Sequence, residues 1–177
     1  AEKLRPQDIT QIFGQDEILK QGTWLFETLK NDTLPSLILW GPPGCGKTTF
    51  AKIVAHNTKK EFVLLNAIST GAKELRELSE KAKLNLKMYN KGTVIFIDEI
   101  HRLNKSQQDV LLPYVESGDI TLVGATTENP SFEVNSALLS RTRVVVFKKH
   151  NTYTSGPHSL NYVPRHFFSE LFVKPVE

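Results

Sequence analysis

The chain of 177 residues is 40% hydrophobic and 23% charged, which is typical of one soluble globular domain with a substantial core. Its net charge of +3 permits contact with nucleic acid, but the chain lacks the clustered basic signature that would predict such contact. A single cysteine, Cys45, excludes an intramolecular disulfide and a cysteine-based metal site, and it favours a reducing intracellular compartment. Because no apolar run approaches the roughly 20 residues of a membrane span and no signal peptide precedes Leu4, we expect neither a membrane segment nor secretion.

The segment before the first strand has no distinctive chemistry of its own. Residues 1–10 are polar, and residues 12–15 form a short apolar patch that contains a glycine. Residues 17–30 predict a helix whose apolar side chains are available for burial, namely Ile18, Leu19, Trp24, Leu25 and Leu29. Pro35 and the polar residues before it break this pattern.

A phosphate-binding loop follows the apolar run at residues 37–40, which predicts a buried strand. Residues 41–48 match the Walker A pattern G-x-x-x-x-G-K-[ST] without a mismatch. Its glycines let backbone N–H groups turn toward a phosphate at the positive N-terminus of the following helix. Lys47 is predicted to reach the terminal phosphates, and the Thr48 hydroxyl to bind Mg²⁺. The predicted nucleotide-binding residues here are Gly41, Pro42, Pro43, Gly44, Cys45, Gly46, Lys47, Thr48 and Thr49.

Four further strands are predicted, and three of them lead into polar residues. Residues 62–65 predict a buried strand that ends in Asn66, residues 93–97 a strand that ends in Asp98-Glu99, and residues 120–125 a strand that leads into the polar segment 126–130. Residues 143–147 predict the fifth strand.

Helices are predicted between these strands. Residues 74–89 have helical periodicity, and we interpret the lysines among them as a solvated face rather than a nucleic-acid track. Asn104 and Gln107 predict a capping box for a helix toward Ser117, which Pro113 is expected to bend or end early. A short helix capped by Asn135 follows. From Lys148 onward the periodicity stops, so we predict a core of residues 1–148 and an irregular tail of residues 149–177.

This alternation of strands and helices predicts an α/β fold of the P-loop NTPase type. The expected architecture is a five-stranded parallel sheet covered by helices on both faces, a three-layer α/β/α sandwich. Ligands in such folds bind beyond the carboxyl ends of the strands, and the polar residues singled out above all lie at those ends.

Asp98 and Glu99 predict chemistry beyond binding. Thr48 and Asp98 are a sufficient protein ligand set for Mg²⁺, which usually keeps several waters and binds substrate phosphates. Glu99 could polarise a water for in-line attack on the γ-phosphate of ATP. Alternatively, the acidic pair is an ordinary helix cap or surface pair. We expect His101 to be a surface or packing residue rather than a second base, and we expect no redox role for Cys45.

Together these motifs resemble a known family. The phosphate loop, residues 96–102, residues 104–109 and above all residues 124–135 resemble the AAA+ ATPases of the replication-associated recombination protein A group, whose eukaryotic member is the Werner helicase-interacting protein. Arg5-Pro6 and Gly14-Gln15 also match, so the resemblance covers residues 4–147.

The resemblance implies roles for further residues. It implies that Asn66 restrains the catalytic glutamate and that Thr127, or else Thr126, senses the γ-phosphate. It implies that Arg141 is an arginine finger delivered in trans to the ATP of a neighbouring subunit. The alternative for Arg141 is a helix-end arginine favoured by the helix dipole. The residues implied on the adenine side are Arg5, Ile12 and Gln15.

The resemblance also implies partners and a place of action. These are a homo-oligomeric ring, DNA at stalled forks or strand junctions, other replication and repair proteins, and the nucleus, or the cytoplasm or nucleoid in a bacterium. In the family a helical lid follows the fifth strand, whereas residues 151–177 do not resemble one. A nucleotide-binding adaptor with little ATP turnover therefore stays open as an alternative, and a phosphate-loop kinase is disfavoured because no acceptor pocket is visible.

Overall fold

The computed structural model describes Leu19 and residues 21–148. The predicted adenine-side residues and the predicted tail therefore lie outside the described residues. Within them, five strands form one sheet in the order β2-β3-β4-β1-β5. Every neighbouring pair is parallel. The strands are β1 (Leu37–Trp40), β2 (Glu61–Asn66), β3 (Thr93–Asp98), β4 (Ile120–Thr126) and β5 (Arg143–Val146).

Helices cover both faces of this sheet, which confirms the predicted three-layer α/β fold. They are α1 (Trp24–Lys30), α2 (Lys47–Asn57), α3 (Ala72–Tyr89), α4 (Lys105–Glu116), α5 (Pro130–Glu133) and α6 (Ser136–Leu139), with a 3₁₀ turn at Ile100–Arg102. Among the described residues, none of the helices has the length and apolar character needed to cross a membrane.

Two hydrophobic clusters show that the strands pack against the helices on both faces of the sheet. Leu37 and Leu39 of β1 pack with α1 and α2, whereas Ile38 between them packs with α3 and α4. Alternate side chains of a strand point to opposite faces, so a buried parallel strand must be apolar at every position. This is the physical reason for the uninterrupted apolar runs in β1 and β3.

The second strand differs from its prediction. Although residues 62–65 predict a buried strand, β2 is the edge of the sheet, and Leu64 is 59% exposed. An apolar run reports β propensity, but burial depends on whether the strand has neighbours on both sides, which the run does not encode.

The predicted helix over residues 17–30 is also wrong as a single element. In its described part the helix is interrupted before Trp24, where Gly22 adopts a left-handed φ of 90° and the Thr23 side chain caps the new start. Trp24 is 42% exposed rather than buried, and the Arg143 guanidinium lies over its ring at 5.2 Å.

The capping predictions for the later helices are confirmed. Asn104 and Gln107 form the reciprocal capping box of α4, and the Asn135 side chain caps α6. Pro113 does not end α4, which continues to Glu116. The buried side chains Leu111, Tyr114 and Val115 pack this part of the helix into the core and offset the backbone hydrogen bond that proline cannot donate.

A glycine contact joins the sheet to the 3₁₀ turn. A Cβ atom on Gly124 of β4 would lie 2.6 Å from Cδ1 of Ile100 and 2.9 Å from Cδ1 of Ile38. Both isoleucines are fully buried, so neither can move away without repacking the core. The absence of a side chain at Gly124 therefore sets how closely the turn after β3 approaches β4.

We predict that Gly124→Ala destabilises the fold by about 1–3 kcal/mol, because it overpacks a dense core. The measurement is the free energy of unfolding by urea, followed by circular dichroism. Gly71→Ala is the matched control: a Cβ there meets nothing within 4 Å. Since Gly71 is the N-cap of α3, this control should cost less than about 1 kcal/mol. Equal losses in the two variants would contradict the overpacking argument.

Candidate nucleotide site

The loop between β1 and α2 has the backbone shape that its glycines allow. Gly44 and Gly46 have left-handed φ values of 74° and 101°. A Cβ on Gly41 would lie 2.3 Å from the backbone oxygen of Phe147, next to the end of β5. Gly46 is the N-cap of α2 and makes no side-chain cap bond. The first N–H groups of this 11-residue helix thus point toward the loop without a side-chain cap, which suits an anion.

Lys47 lies inside this loop. Its side chain is only 7% exposed, and its ammonium donates to the backbone oxygens of Gly41 at 2.6 Å and Pro42 at 3.0 Å. A buried ammonium needs such acceptors, and phosphate oxygens would provide stronger ones. The Cys45 thiol is buried 3.7 Å from the same ammonium, which agrees with a structural rather than a redox role.

The candidate metal ligands come from two elements. Thr48 is exposed on the first turn of α2, and Asp98 is half-buried at the end of β3. Asp98 Oδ1 accepts a hydrogen bond from the Glu99 N–H at 3.1 Å. Over Leu19 and residues 21–148, no group of three or more histidine, cysteine, aspartate or glutamate side chains forms a metal site. One hydroxyl and one carboxylate fit Mg²⁺ held largely by phosphate oxygens and water.

Glu99 is placed by an unusual backbone conformation. Its φ of 54° is left-handed, and it begins the 3₁₀ turn that follows β3. Its carboxylate is 36% exposed, and Oε2 lies 3.2 Å from Nδ1 of His101. β3 therefore ends at Asp98, and Glu99 belongs to the turn rather than to the strand.

His101 is the site residue that sequence reasoning missed. Its side chain is only 7% exposed, and Nδ1 lies 3.1 Å from the Thr126 hydroxyl as well as near Glu99. The packing role predicted for it is correct, but its partners are a candidate catalytic carboxylate and the last residue of β4. The contact with Thr126 spans 25 positions of the chain, so no local sequence signal could have revealed it.

Thr126 and Thr127 have different surroundings. Thr126 is fully buried, and its hydroxyl accepts from the Glu128 N–H at 3.0 Å and lies 3.2 Å from the Glu128 carbonyl. Thr127 is half-buried one residue beyond the strand. The Thr126 hydroxyl is thus used in hydrogen bonds within the chain, whereas Thr127 lies just beyond the carboxyl end of β4.

The side chains of Asn66 and Arg141 both interact with other residues of this chain. The Asn66 side chain accepts from the Ile68 N–H at 2.9 Å, although the residue pairs in register with Asp98. Arg141, just beyond α6, is 45% exposed, and its Nε lies 2.5 Å from Oε1 of Glu116. It also donates to the Ser140 hydroxyl at 2.7 Å. The structure thus brings Lys47, Thr48, Asp98 and Glu99 to the carboxyl ends of the parallel strands. It places Arg141 on the surface.

The chain is similar to several known proteins. It is 47% identical to replication-associated recombination protein A of Escherichia coli over 86% of this chain and 34% of that protein. It is 49% identical to the ATPase WRNIP1 of Dictyostelium discoideum over 84% of this chain and 17% of that protein. The chain thus spans about a third or less of the length of these relatives.

Structural similarity agrees with these relatives. The RuvB Holliday junction branch migration motor of Thermotoga maritima has a TM-score of 0.64 and 31% identity, covering 82% of this chain and 48% of that one. Residues 37–150 match the family model described as the ATPase family associated with various cellular activities. The resemblance inferred from the motifs is confirmed: this chain belongs to the AAA family of ATPases.

Proposed function

We propose that this chain is the ATP-binding and ATP-hydrolysing core of an AAA ATPase that acts on DNA during replication-fork maintenance and repair. The observation that carries the proposal is the meeting of two motifs at one sheet edge. The phosphate loop follows β1, and β3 ends in Asp98 with Glu99 directly after it, with only β4 between these two parallel strands. This arrangement can hold a nucleotide phosphate and place a carboxylate near it.

Each residue then has a role that its surroundings support. Lys47 exchanges its bonds to the loop carbonyls for bonds to phosphate oxygens, and the N–H groups of the loop and of α2 bind the same phosphates. Thr48 and Asp98 would hold Mg²⁺, which would offset the charge of the phosphates. Glu99 accepts a proton from the water that attacks the γ-phosphate.

Two further roles concern the γ-phosphate. We assign the sensor role to Thr127, because the Thr126 hydroxyl is used in bonds to Glu128 and His101. We assign Arg141 as an arginine finger that acts in trans, because it is half-exposed and its ion pair with Glu116 lies at the surface, where such pairs are weak. A neighbouring subunit's phosphate can therefore replace Glu116 as its partner.

The remaining roles rest on the family resemblance. Arg5, Ile12 and Gln15 are proposed to contact the adenine, and Asn66 to restrain Glu99 in a conformation other than this one. The names of the relatives, a replication-associated recombination protein and a Holliday junction motor, favour DNA as the partner of a homo-oligomer. We place the protein in the nucleus if its source is eukaryotic, and in the cytoplasm or nucleoid if it is bacterial.

The first prediction separates ATP binding from ATP turnover. Lys47→Ala should weaken ATP affinity by roughly 10- to 100-fold, because it removes a charge-assisted contact to phosphate. Glu99→Gln should keep the affinity and lower kcat by about 10²- to 10⁴-fold, because it removes the general base. Calorimetric titration with Mg-ATP and a phosphate-release assay, with and without forked DNA, provide the two readouts.

Glu74→Gln is the matched control for this prediction, since Glu74 is an exposed carboxylate in the first turn of α3. It should change neither quantity. Equal kcat values for wild type and Glu99→Gln would remove the catalytic claim. ATP binding without turnover by the wild-type chain would instead favour the nucleotide-binding adaptor.

The second prediction tests action in trans. Arg141→Ala and Glu99→Gln subunits should each be inactive alone, and a random equal mixture should recover up to about a quarter of the wild-type rate. Recovery occurs where an intact Glu99 faces a neighbour's intact Arg141. Mass measurement of the same sample identifies the mixed oligomers.

Arg76→Ala, which removes an exposed arginine of α3, is the control and should retain the wild-type rate without mixing. A wild-type rate for Arg141→Ala alone would show that Arg141 is a helix-end arginine, the alternative that the sequence leaves open. Mixed oligomers without any recovery of activity would contradict action in trans.

A further inference from the structure

The imidazole of His101 joins Glu99 to the interior of the sheet. One ring nitrogen, Nδ1, lies 3.2 Å from Oε2 of Glu99 and 3.1 Å from Oγ1 of Thr126. The Thr126 residue is fully buried, and the His101 side chain is 7% exposed. The connection therefore runs from a half-exposed carboxylate to a core strand through a ring that has little room to turn.

The donors and acceptors of this cluster determine where the proton lies. A carboxylate oxygen without a proton only accepts hydrogen bonds, so a hydrogen on Nδ1 makes the 3.2 Å contact with Oε2 of Glu99 favourable, whereas a bare Nδ1 lone pair there would be repulsive. The Thr126 hydroxyl can direct its own hydrogen to the Glu128 carbonyl at 3.2 Å and accept from Nδ1. A single Nδ1–H that is shared between Oγ1 of Thr126 and Oε2 of Glu99 is compatible with both contacts, and this assignment follows from the network of partners.

The backbone on both sides of His101 is equally constrained. Ile100 is fully buried against Gly124 of β4, and Glu99 adopts a left-handed φ of 54°. The turn can therefore neither slide along β4 nor rotate easily about Glu99. Since Nδ1 contacts only one of the two carboxylate oxygens of Glu99, the other oxygen is left to accept a proton.

From this arrangement we propose that His101 is a positioning residue, which holds the Glu99 carboxylate by its Nδ1–H so that Oε1 faces the attacking water. The proposal rests on the proposed ATPase function and deepens it. In the reaction, the water oxygen bonds to the γ-phosphorus, the bond from that phosphorus to the bridging oxygen breaks, and the water proton moves to Oε1. His101 keeps its proton throughout, so its contribution is orientation.

A residue that restrains Glu99 until ligand binds would have different surroundings from those of His101. A restraint must be released when ligand binds, as expected for a surface residue such as Asn66, which in this structure bonds to the Ile68 N–H. His101 is instead anchored to a fully buried hydroxyl on a central strand. Because that anchor belongs to the core, we infer that the bond to Glu99 persists during catalysis and sets the geometry of the base.

Two substitutions of His101 test the proposal in the full chain. His101→Leu removes the donor and substitutes an apolar side chain of similar size, and it should lower kcat by about 10- to 100-fold with KM for ATP unchanged. His101→Asn can place an amide N–H near the position of Nδ1 and should restore most of the rate. His56→Asn, at an exposed histidine near the end of α2, is the control and should match wild type.

The outcomes separate positioning from other roles. An unchanged kcat in His101→Leu would overturn the proposal, and a raised kcat would show that His101 restrains Glu99 rather than orienting it. A lowered kcat that His101→Asn fails to restore would indicate a purely structural role. Circular dichroism of each variant shows whether it has folded.

A second readout does not depend on turnover. Imidazole nitrogen resonances of the ¹⁵N-labelled wild-type chain, recorded well above the ordinary histidine pKa of about 6.5, should show His101 with its hydrogen on Nδ1. Glu99→Ala should shift these resonances. A hydrogen on Nε2 in the wild type would overturn the proposal even if His101→Leu failed to fold. If the wild type hydrolyses no ATP but has the Nδ1–H form, the proposed function fails while the inferred contact stands.

Discussion

Parallel hydrogen bonding of the strands is the constraint on which the rest of the structure depends. Trp40 pairs with Thr126 on one side and Val146 on the other, and Asn66 pairs with Asp98. This register places the carboxyl ends of all five strands on the same side of the sheet. Because each chain connection begins on that side, side chains far apart in sequence converge there without any special contact between the loops that carry them.

The charged groups on this side of the sheet and on the nearby surface share one property. The Lys47 ammonium is bonded to loop carbonyls, the Glu99 carboxylate contacts a histidine, and the Arg141 guanidinium is paired with Glu116. A charge removed from water needs a partner, and the fold provides one for each of these three groups. Under the proposed function, Lys47 and Arg141 would exchange these partners for phosphate oxygens, which costs less than ordering uncompensated charges. Glu99 would keep its contact with His101.

Local signals explain most of what the sequence predicted correctly. The glycines and lysine of residues 41–48, the apolar runs before Asp98 and Thr126, and the caps at Asn104 and Asn135 each depend on neighbours within a few positions. These features could be predicted because their physical causes lie in the same short segment as the residues themselves.

The features that the sequence did not predict depend on distant partners. The exposure of Leu64 follows from the position of β2 at the edge of the sheet, and strand order is not encoded in an apolar run. The partners of His101 and Arg141 each lie 25 positions away, at Thr126 and Glu116. Tertiary packing thus determines the exposure and the partners of these side chains. The roles of Asn66, Thr127 and Arg141 stay predictions that rest on family resemblance.

The close approach of Gly41 to Phe147 has a consequence for biosynthesis. Phe147 donates its N–H to the Trp40 carbonyl at 2.7 Å, and its ring packs edge-to-face on Phe50 of α2 at a centroid distance of 5.8 Å. The phosphate loop is therefore completed by a residue synthesised about 100 positions later. During translation the loop emerges before β5, so we expect it to lack this support until β5 has been made.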